Sequence, residues 1–494
     1  LSKQAHNFQE RMWVLAAAAI ACIITTAAWI WNHNTSRAQK KLPPGSMGLP
    51  FIGETLALLI PSSTFDLHPF FKTRLRRYGA IFKSRIVGRA VVVSTNEEFN
   101  DFVIRQEGKL VELWYLDSFS NLFRMDGEQR VNATGMIHRY IREIPMKFLG
   151  VESLKGGLLI QLEKYINVVL EGWSRHGDVE VRDSTTKMAV KFAAKELFGY
   201  DEEESCEKIS DKYVGMTEGL MSFPLDLPGF AYHRSSQNKK YVTKVLRRTF
   251  EERKKALSEE KRGGKTNTFL DYAVEDIKTN RLLPDEFHVE LMFGLLYACS
   301  ETVSTTLSSA FKFLADNPAV MVELSEEHQR ILNARKERNA PLTWDEYKSM
   351  TFTIQVMNET LRLVNAAAGL LRKAKREIQF KEYTIPENWG IMILTLARHL
   401  NPQIFKDPLT FNPWRWKDMD PSVVSKNFTP FGGGIRLCAG AEFGKAFFAT
   451  FLHVMVTKYE WKKIKGGNFV RNPVLMLKDG MHVHISRKAE ADTI

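Results

Sequence analysis

The sequence predicts a mainly α-helical fold with a minor β region, preceded by one N-terminal transmembrane helix. Three observations predict it: an uncharged apolar run near the start, β-branched runs confined to a few short stretches, and helical apolar spacing over most of the rest. From Trp13 to Trp31 the run WVLAAAAIACIITTAAWIW carries no charge. At the rise of an α-helix it is about long enough to cross a bilayer core. Trp residues at both ends suit the membrane interface. The run exceeds the apolar core of a secretion signal and is followed by Arg37, Lys40 and Lys41 instead of a small-residue cleavage site, so a retained anchor is expected. That basic cluster orients the bulk of the chain toward the cytosol.

Residues 1–12 form a short tail, 13–31 the anchor and 32–54 a basic, proline-rich hinge. Within the hinge, LPPGSMGLPFIGE (Leu42 to Glu54) holds three prolines and three glycines, too many for a helix. The stretch Ala80 to Thr95, broken at Gly88, predicts a hairpin. Pro284 to Asn317 opens on Pro-Asp, keeps an apolar face and stops at Pro318, which predicts a helix of unusual length that crosses the domain. Thr343 with Glu346 forms a capping box ahead of a helix expected to reach Leu363. Beyond it, Phe380 to Ile385 and Ile391 to Leu396 read as short strands.

Composition excludes several classes. Cys22, Cys206, Cys299 and Cys438 are scattered, with neither a CxxC pair nor zinc-type spacing, which argues against a disulfide framework or a structural zinc site. The excess of 69 basic over 57 acidic residues includes no run of five like charges, so no nucleic-acid partner is implied. An anionic membrane surface or an acidic protein remains open as a partner. Four NxS/T sequons, at Asn34, Asn132, Asn358 and Asn427, read as fortuitous, because two fall within the segments that carry the chemistry.

The densest signal is FGGGIRLCAG, Phe431 to Gly440, where four glycines surround one cysteine. Glycine at that density lets a backbone approach a flat ligand and aim its amides at a sulfur. The pattern FxxGxRxCxG resembles the haem-binding loop of the cytochrome P450 family, with Phe431, Gly434, Arg436, Cys438 and Gly440 matching. The resemblance implies a haem b whose iron takes Cys438 as axial thiolate, a ligand that favours O–O cleavage, with Arg436 on a propionate. Glu359-Thr-Leu-Arg362 followed by FNPWRW (Phe411 to Trp416) is similar to the family's ExxR element, so Glu359, Arg362 and Arg415 are expected as a structural charge network. His138 and Arg142 align with the WxxxR helix, His replacing Trp, and Arg372 with a further propionate contact.

On the long helix, YACSETVSTT (Tyr297 to Thr306) interrupts an apolar run with Glu301 and Thr302, an acid and a hydroxyl able to relay protons. It resembles the family's oxygen-activation motif, although Cys299 stands where glycine is usual. Thr305 and Thr306 are expected only to bond back to their own helix. GSMGLPFIGET, EGKLVELWY, FPLDLPG and FTPFGGGIRLCAGAE look like the plant branch that oxidises sterols, brassinosteroids and triterpenoids.

The resemblance implies that residues 55–494 form a haem-thiolate monooxygenase domain using O2 and NADPH-derived electrons from a flavoprotein reductase. It would sit on the endoplasmic reticulum membrane, facing the cytosol, and hydroxylate a sterol or triterpenoid in one or successive steps. Another plant isoprenoid, a brassinosteroid or diterpenoid acid, is the alternative substrate. A reductase-independent isomerase or dehydratase and a non-catalytic haem or sterol binder are the rival classes. The expected substrate pocket is apolar: Trp114, Phe119, Leu295, Ala298, Ala368, Gly369 and Leu475, with Ala368 where the branch usually has proline. Phe223 to Phe230 is expected to dip into the bilayer, and Arg139, Lys147 and Lys445 to receive an acidic reductase.

Overall fold

The computed structural model describes residues 20–26, 41–123, 134–220, 222, 224–259, 268–279, 283–365, 367, 369–472 and 474–489. Residues 20–26 are helical, with Ile20, Ile23 and Ile24 exposed. The rest of the expected Trp13–Trp31 anchor lies outside the described residues, and no helix among the described ones is long and apolar enough to cross a membrane. The described chain divides into two compact units.

One unit comprises the described residues up to Ile60 with Pro69–Glu112 and Leu371–Ile393. Its centre is a sheet of β1 (Ile81–Ile86), β2 (Arg89–Ser94), β3 (Val111–Leu113), β4 (Leu370–Ala374) and β7 (Gly390–Ile393), in the order β1-β2-β7-β4-β3. The expected hairpin is present. Val87 and Gly88 both take positive φ, the turn whose twist matches that of the two flanking strands. Between β2 and β3 lies α1 (Glu97–Arg105), capped by the Asn96 side chain, which accepts from the Phe99 N–H. Phe380 to Ile385, expected as one strand, is instead two: β5 (Ile378–Phe380) and β6 (Tyr383–Ile385) pair antiparallel, and Lys381 turns the chain at φ 50°. The strand expected to reach Leu396 ends as β7 at Ile393, with a short helix over Thr395–His399.

The other unit, Pro61–His68, Leu113–Leu370 and Leu394–Ile494, is helical. Its elements include α2 (Met136–Leu149), α3 (Val181–Phe198), α4 (Asp285–Asp316), α5 (Pro318–Asn333), α6 (Trp344–Ser349), α7 (Thr351–Val364) and α8 (Ala441–Lys458). The long helix is α4, and its 32 residues pass through the core against α3, which is buried on most sides. Helix α8 is apolar nearly all round, through Phe443, Phe447, Phe448 and Phe451, as a central helix must be. The helix expected from Thr343 to Leu363 is two helices broken at Met350. Their junction is stabilised by Glu327, whose carboxylate accepts from the N–H groups of Phe352 (2.6 Å) and Thr353 (2.9 Å) and so caps a second N-terminus. A strand pair, β8 (Phe469–Asn472) and β9 (Val474–Leu477), lies beside α4 and α7.

Candidate active site

The loop Phe431–Gly440 is shaped by glycine. Gly432 and Gly434 take φ of 75° and 64°, conformations costly for any residue with a Cβ, and a single 3₁₀ turn spans Gly434–Arg436. The Cys438 N–H closes the loop onto the Phe431 carbonyl at 2.9 Å. From α2, Arg142 donates to the Leu437 carbonyl, so one predicted site residue grips the loop that carries another. Burial pushes the Cys438 thiol upward in pKa, while the Gly440 N–H and the Arg142 charge pull it down. These are the contacts that stabilise a thiolate.

The middle of α4 lies near this loop, close enough for Cys299 to feel the charge of Cys438. Most of that helix is buried, yet Ala298 and Thr302, one turn apart, are exposed, and Gly294, Cys299 and Val303 beside them are partly so. The Cys299 thiol, pushed to about 12 by burial, also feels the charge of Cys438. An open strip on a core helix near a glycine-lined sulfur is the shape a flat, sulfur-ligated ring requires. The donor set agrees: one thiol held by an amide and a guanidinium, with Arg142 and Arg436 as cationic groups and His138 in the same unit. These residues fit a haem. Cys438 would hold its iron, and Arg142 and Arg436 would sit with its carboxylates; the bound group supplies oxygen activation.

Arg372 lies in the other unit, on β4, nearly fully buried and ion-paired with Glu107. Lys373 next to it pairs with Glu112 at 2.9 Å. Sequence reasoning missed both acids, although both lie within the stretch EGKLVELWY already singled out.

Glu359, Arg362 and Arg415 meet in one charge network. Glu359 and Arg362 are fully buried and joined bidentately, Nη2–Oε1 at 2.8 Å and Nε–Oε2 at 2.9 Å. Arg415 Nε meets Glu359 Oε1 at 3.0 Å. The Trp416 indole and the Asn412 N–H complete the shell of the carboxylate at 3.0 and 2.9 Å, two donors the motif does not advertise.

The acid and the hydroxyl on α4 do not meet. Thr302 donates back to the Ala298 carbonyl (2.9 Å), while Glu301 turns to α3, where Arg182 Nη2 lies 2.8 Å from its Oε1. Thr305, expected only to bond to its own helix, instead places its hydroxyl 3.4 Å from the same oxygen; Thr306 does bond back, to Thr302 O. Arg182 carries no motif of its own. The available signal was the recurrence of Tyr297, Glu301, Thr305 and Ser308 on one helical face of an otherwise apolar segment.

Of the expected pocket residues, Phe119 stacks between Tyr115 (4.4 Å) and Phe123 (4.5 Å) and meets Tyr297 edge-on. Leu295 is buried, Ala298 is on the open strip, and Trp114 and Gly369 are half-buried. Leu475, nearly fully buried, lines a cavity with Arg182 and Glu301. Ala368 is outside the described residues.

A family model for cytochrome P450 matches residues 43–482. The chain is 45% identical over 478 residues to a beta-amyrin 16-alpha-hydroxylase of Maesa lanceolata, covering 97% of this chain and all of that protein. It is 42% identical to a cucurbitadienol 11-hydroxylase of Siraitia grosvenorii (93% and 96% covered) and 33% identical to a cholesterol 16,22-dihydroxylase of Trigonella foenum-graecum (90% and 92%). Among solved structures, the retinoic acid bound cyanobacterial CYP120A1 superposes with a TM-score of 0.78 over 91% of this chain and all of that one, at 24% identity, a likeness of fold.

Proposed function

The chain belongs to the cytochrome P450 family and is a monooxygenase, and on that premise we propose that it hydroxylates a sterol or triterpenoid with electrons from an NADPH-dependent flavoprotein reductase. The observation that carries the reading is the Cys438 loop, closed on Phe431 and gripped by Arg142, near the open strip of α4. Beta-amyrin, cucurbitadienol and cholesterol, the substrates of the three relatives, are rigid and mostly hydrocarbon. The stacked rings of Tyr115, Phe119 and Phe123 beside α4 offer such a skeleton an apolar wall. The chain's own residues bind and orient this skeleton and keep bulk water out; the cofactor carries the bond-breaking chemistry.

The reading is tested by the absorption spectrum of the purified, reduced protein under carbon monoxide, with Cys438→Ala beside it. A red-shifted thiolate-type band in the parent, absent from the variant, is expected, followed by turnover of sterols or triterpenoids that depends strictly on NADPH and reductase. A band unchanged in Cys438→Ala overturns it.

The N-terminal run Trp13–Trp31 would hold the protein to the endoplasmic reticulum membrane, with the catalytic part cytosolic. Leu225, Leu227 and Phe230, all exposed, suit a second dip into the bilayer. Removing residues 1–31 together with polar replacement of these three is expected to release the protein from membranes; retained turnover on sterol in a fully soluble form would refute the entry route. Arg139 and Lys147 are exposed and Lys445 half-buried. Reversing these three charges is expected to slow reduction by the reductase without changing haem content. Unchanged reduction would refute the docking face.

A further inference from the structure

Where α4 ends and α5 begins, a cavity of about 490 Å³ opens against the strand Tyr459–Gly466. That volume lies within the roughly 300–1,000 Å³ of small-molecule sites. Its inner wall is apolar, formed by Leu314, Met321, Val456 and Trp461, whose indole packs on Phe311 with ring centroids 4.8 Å apart. Leu314 stands about 18 Å along α4 from Thr302 at the rise of an α-helix, and no lining residue belongs to the Cys438 site.

Cations border this wall. Trp461 and Lys463 pair in register with Ile485 and Val483, both fully buried, so these two side chains lie on the core-facing side of their strand. Lys463 is nevertheless exposed. Its stem crosses Gly467 alongside that of Lys312, where an added Cβ would lie 3.8 Å from Lys463 Cδ and 3.1 Å from Lys312 Cδ. Lys312 is ion-paired with Asp316, whereas neither Lys462 nor Lys463 has an acidic partner among the described residues. Lys488 gives one ammonium proton to the Val456 carbonyl (2.6 Å) and keeps two. With Asp316 neutralised by Lys312, these three lysines outnumber Glu460 in the lining. The first turn of α5 adds to the same sign: Asn317 donates its side-chain amide to the Phe313 carbonyl (2.7 Å) and leaves the positive end of that helix without a side-chain cap.

An inward charge on an edge strand also guards against pairing with another chain. That role needs neither a cavity nor an indole wall. We propose that the cavity is a second ligand site, for an acidic amphiphile whose apolar body rests on Leu314, Met321 and Trp461 and whose carboxylate or sulfate is held by Lys463 and Lys488. A fatty acid and a sulfated isoprenoid share this chemistry. An uncharged sterol or triterpenoid lacks the headgroup, so this site and the haem site select different molecules. The inference does not rest on the monooxygenase reading.

The test uses the full-length, haem-loaded protein and a long-chain fatty acid carrying a photoreactive diazirine, followed by peptide mapping. Labelling is expected within residues 314–321 and 456–463. Excess oleate or cholesterol sulfate is expected to reduce it by about tenfold or more, by mass action at one site, whereas oleyl alcohol and cholesterol leave it in place. Whichever anion competes at the lower concentration identifies the source.

Lys463→Glu is expected to weaken the labelling by about tenfold, the loss of one charge-assisted contact. Met321→Trp, which fills the seat and keeps every charge, is expected to abolish it. Both variants should unfold at the parental urea midpoint, which separates loss of the site from loss of the fold. Labelling confined to other peptides, equal competition by oleate and oleyl alcohol, or parental labelling in Lys463→Glu overturns the site.

Discussion

Arg362→Ala is expected to leave little folded protein. Its guanidinium lies fully inside the core, makes two bonds to Glu359 and spends the rest of its fork on backbone: Nη1 on the carbonyls of His399 (3.0 Å) and Pro408 (2.6 Å), Nη2 on that of Thr410 (3.3 Å). The alanine variant loses a buried pair, which costs about 3–5 kcal/mol when one partner goes, and strips donors from up to three carbonyls at ~1 kcal/mol or more each. Together that approaches the ~5–15 kcal/mol by which a domain of ordinary stability is folded.

Arg362→Lys is expected to fall nearly as far, since a point charge cannot reproduce the fork. Arg415→Ala should be milder, because Glu359 keeps Arg362, Trp416 and the Asn412 N–H. Urea unfolding followed by tryptophan emission, with haem content in parallel, measures all three. Arg362→Ala within 1 kcal/mol of the parent would show that the network is dispensable.

That network illustrates which parts of this protein were legible in its sequence. Glu359 and Arg362 are three residues apart on a helix, so a local pattern carries the pair, and FNPWRW lies close enough in order to be recognised with it. The Cys438 loop was legible for the same reason: its glycine turns and its cysteine share ten residues. What sequence did not carry is contact between distant segments. Arg182 reaches Glu301 across 119 positions, and Glu327 breaks the expected Thr343–Leu363 helix from a position 25 residues before Phe352. In both, one ordinary charged residue on a helix decides the geometry, and nothing adjacent in sequence marks it. Thr302 and Thr305 exchanged expectations for a related reason: helical spacing puts either hydroxyl within reach of its own backbone, and only the placement of α3 decides which one the carboxylate faces.

Acid is expected to unfold the protein well above the usual carboxylate range, because buried histidines are held neutral. His399, lowered to about 3 chiefly by burial and then by Arg362 and Arg398, accepts the Thr429 N–H on its Nε2 at 3.1 Å. A proton there removes the acceptor two residues before the Cys438 loop begins and sets a third cation beside two guanidiniums. His453, lowered to about 4, and His328, lowered well below its ordinary value, form a second such site; in both, burial is the main cause.

The hydrogen-bond pattern assigns the tautomers of this second site. Thr353 has one hydroxyl proton and gives it to Glu327 (2.5 Å), so His328 must donate from Nε2 to Thr353 (3.0 Å) and accept on Nδ1 from His453 Nδ1–H (3.0 Å). Protonating His328 would set two N–H groups face to face. Since the folded pKa values lie below the unfolded value near 6.5, the unfolded chain binds the proton first. The stability these neutral histidines contribute is full above about pH 6.5 and is lost as pH falls toward 4 for His453 and 3 for His399, about 2 kcal/mol for each of these two already by pH 5.

The α5–α7–α8 junction and the ExxR network should therefore give way together between pH 6 and 5, with haem released in the same transition. The check is the urea midpoint at pH 7.5, 6 and 5 for the parent and for His399→Gln, which keeps a neutral acceptor within reach of Thr429. A parental midpoint that does not move from pH 7.5 to 5 would mean these imidazoles titrate as exposed ones do. A steep fall that is shallower in His399→Gln would place a measurable share of the acid sensitivity on that one ring.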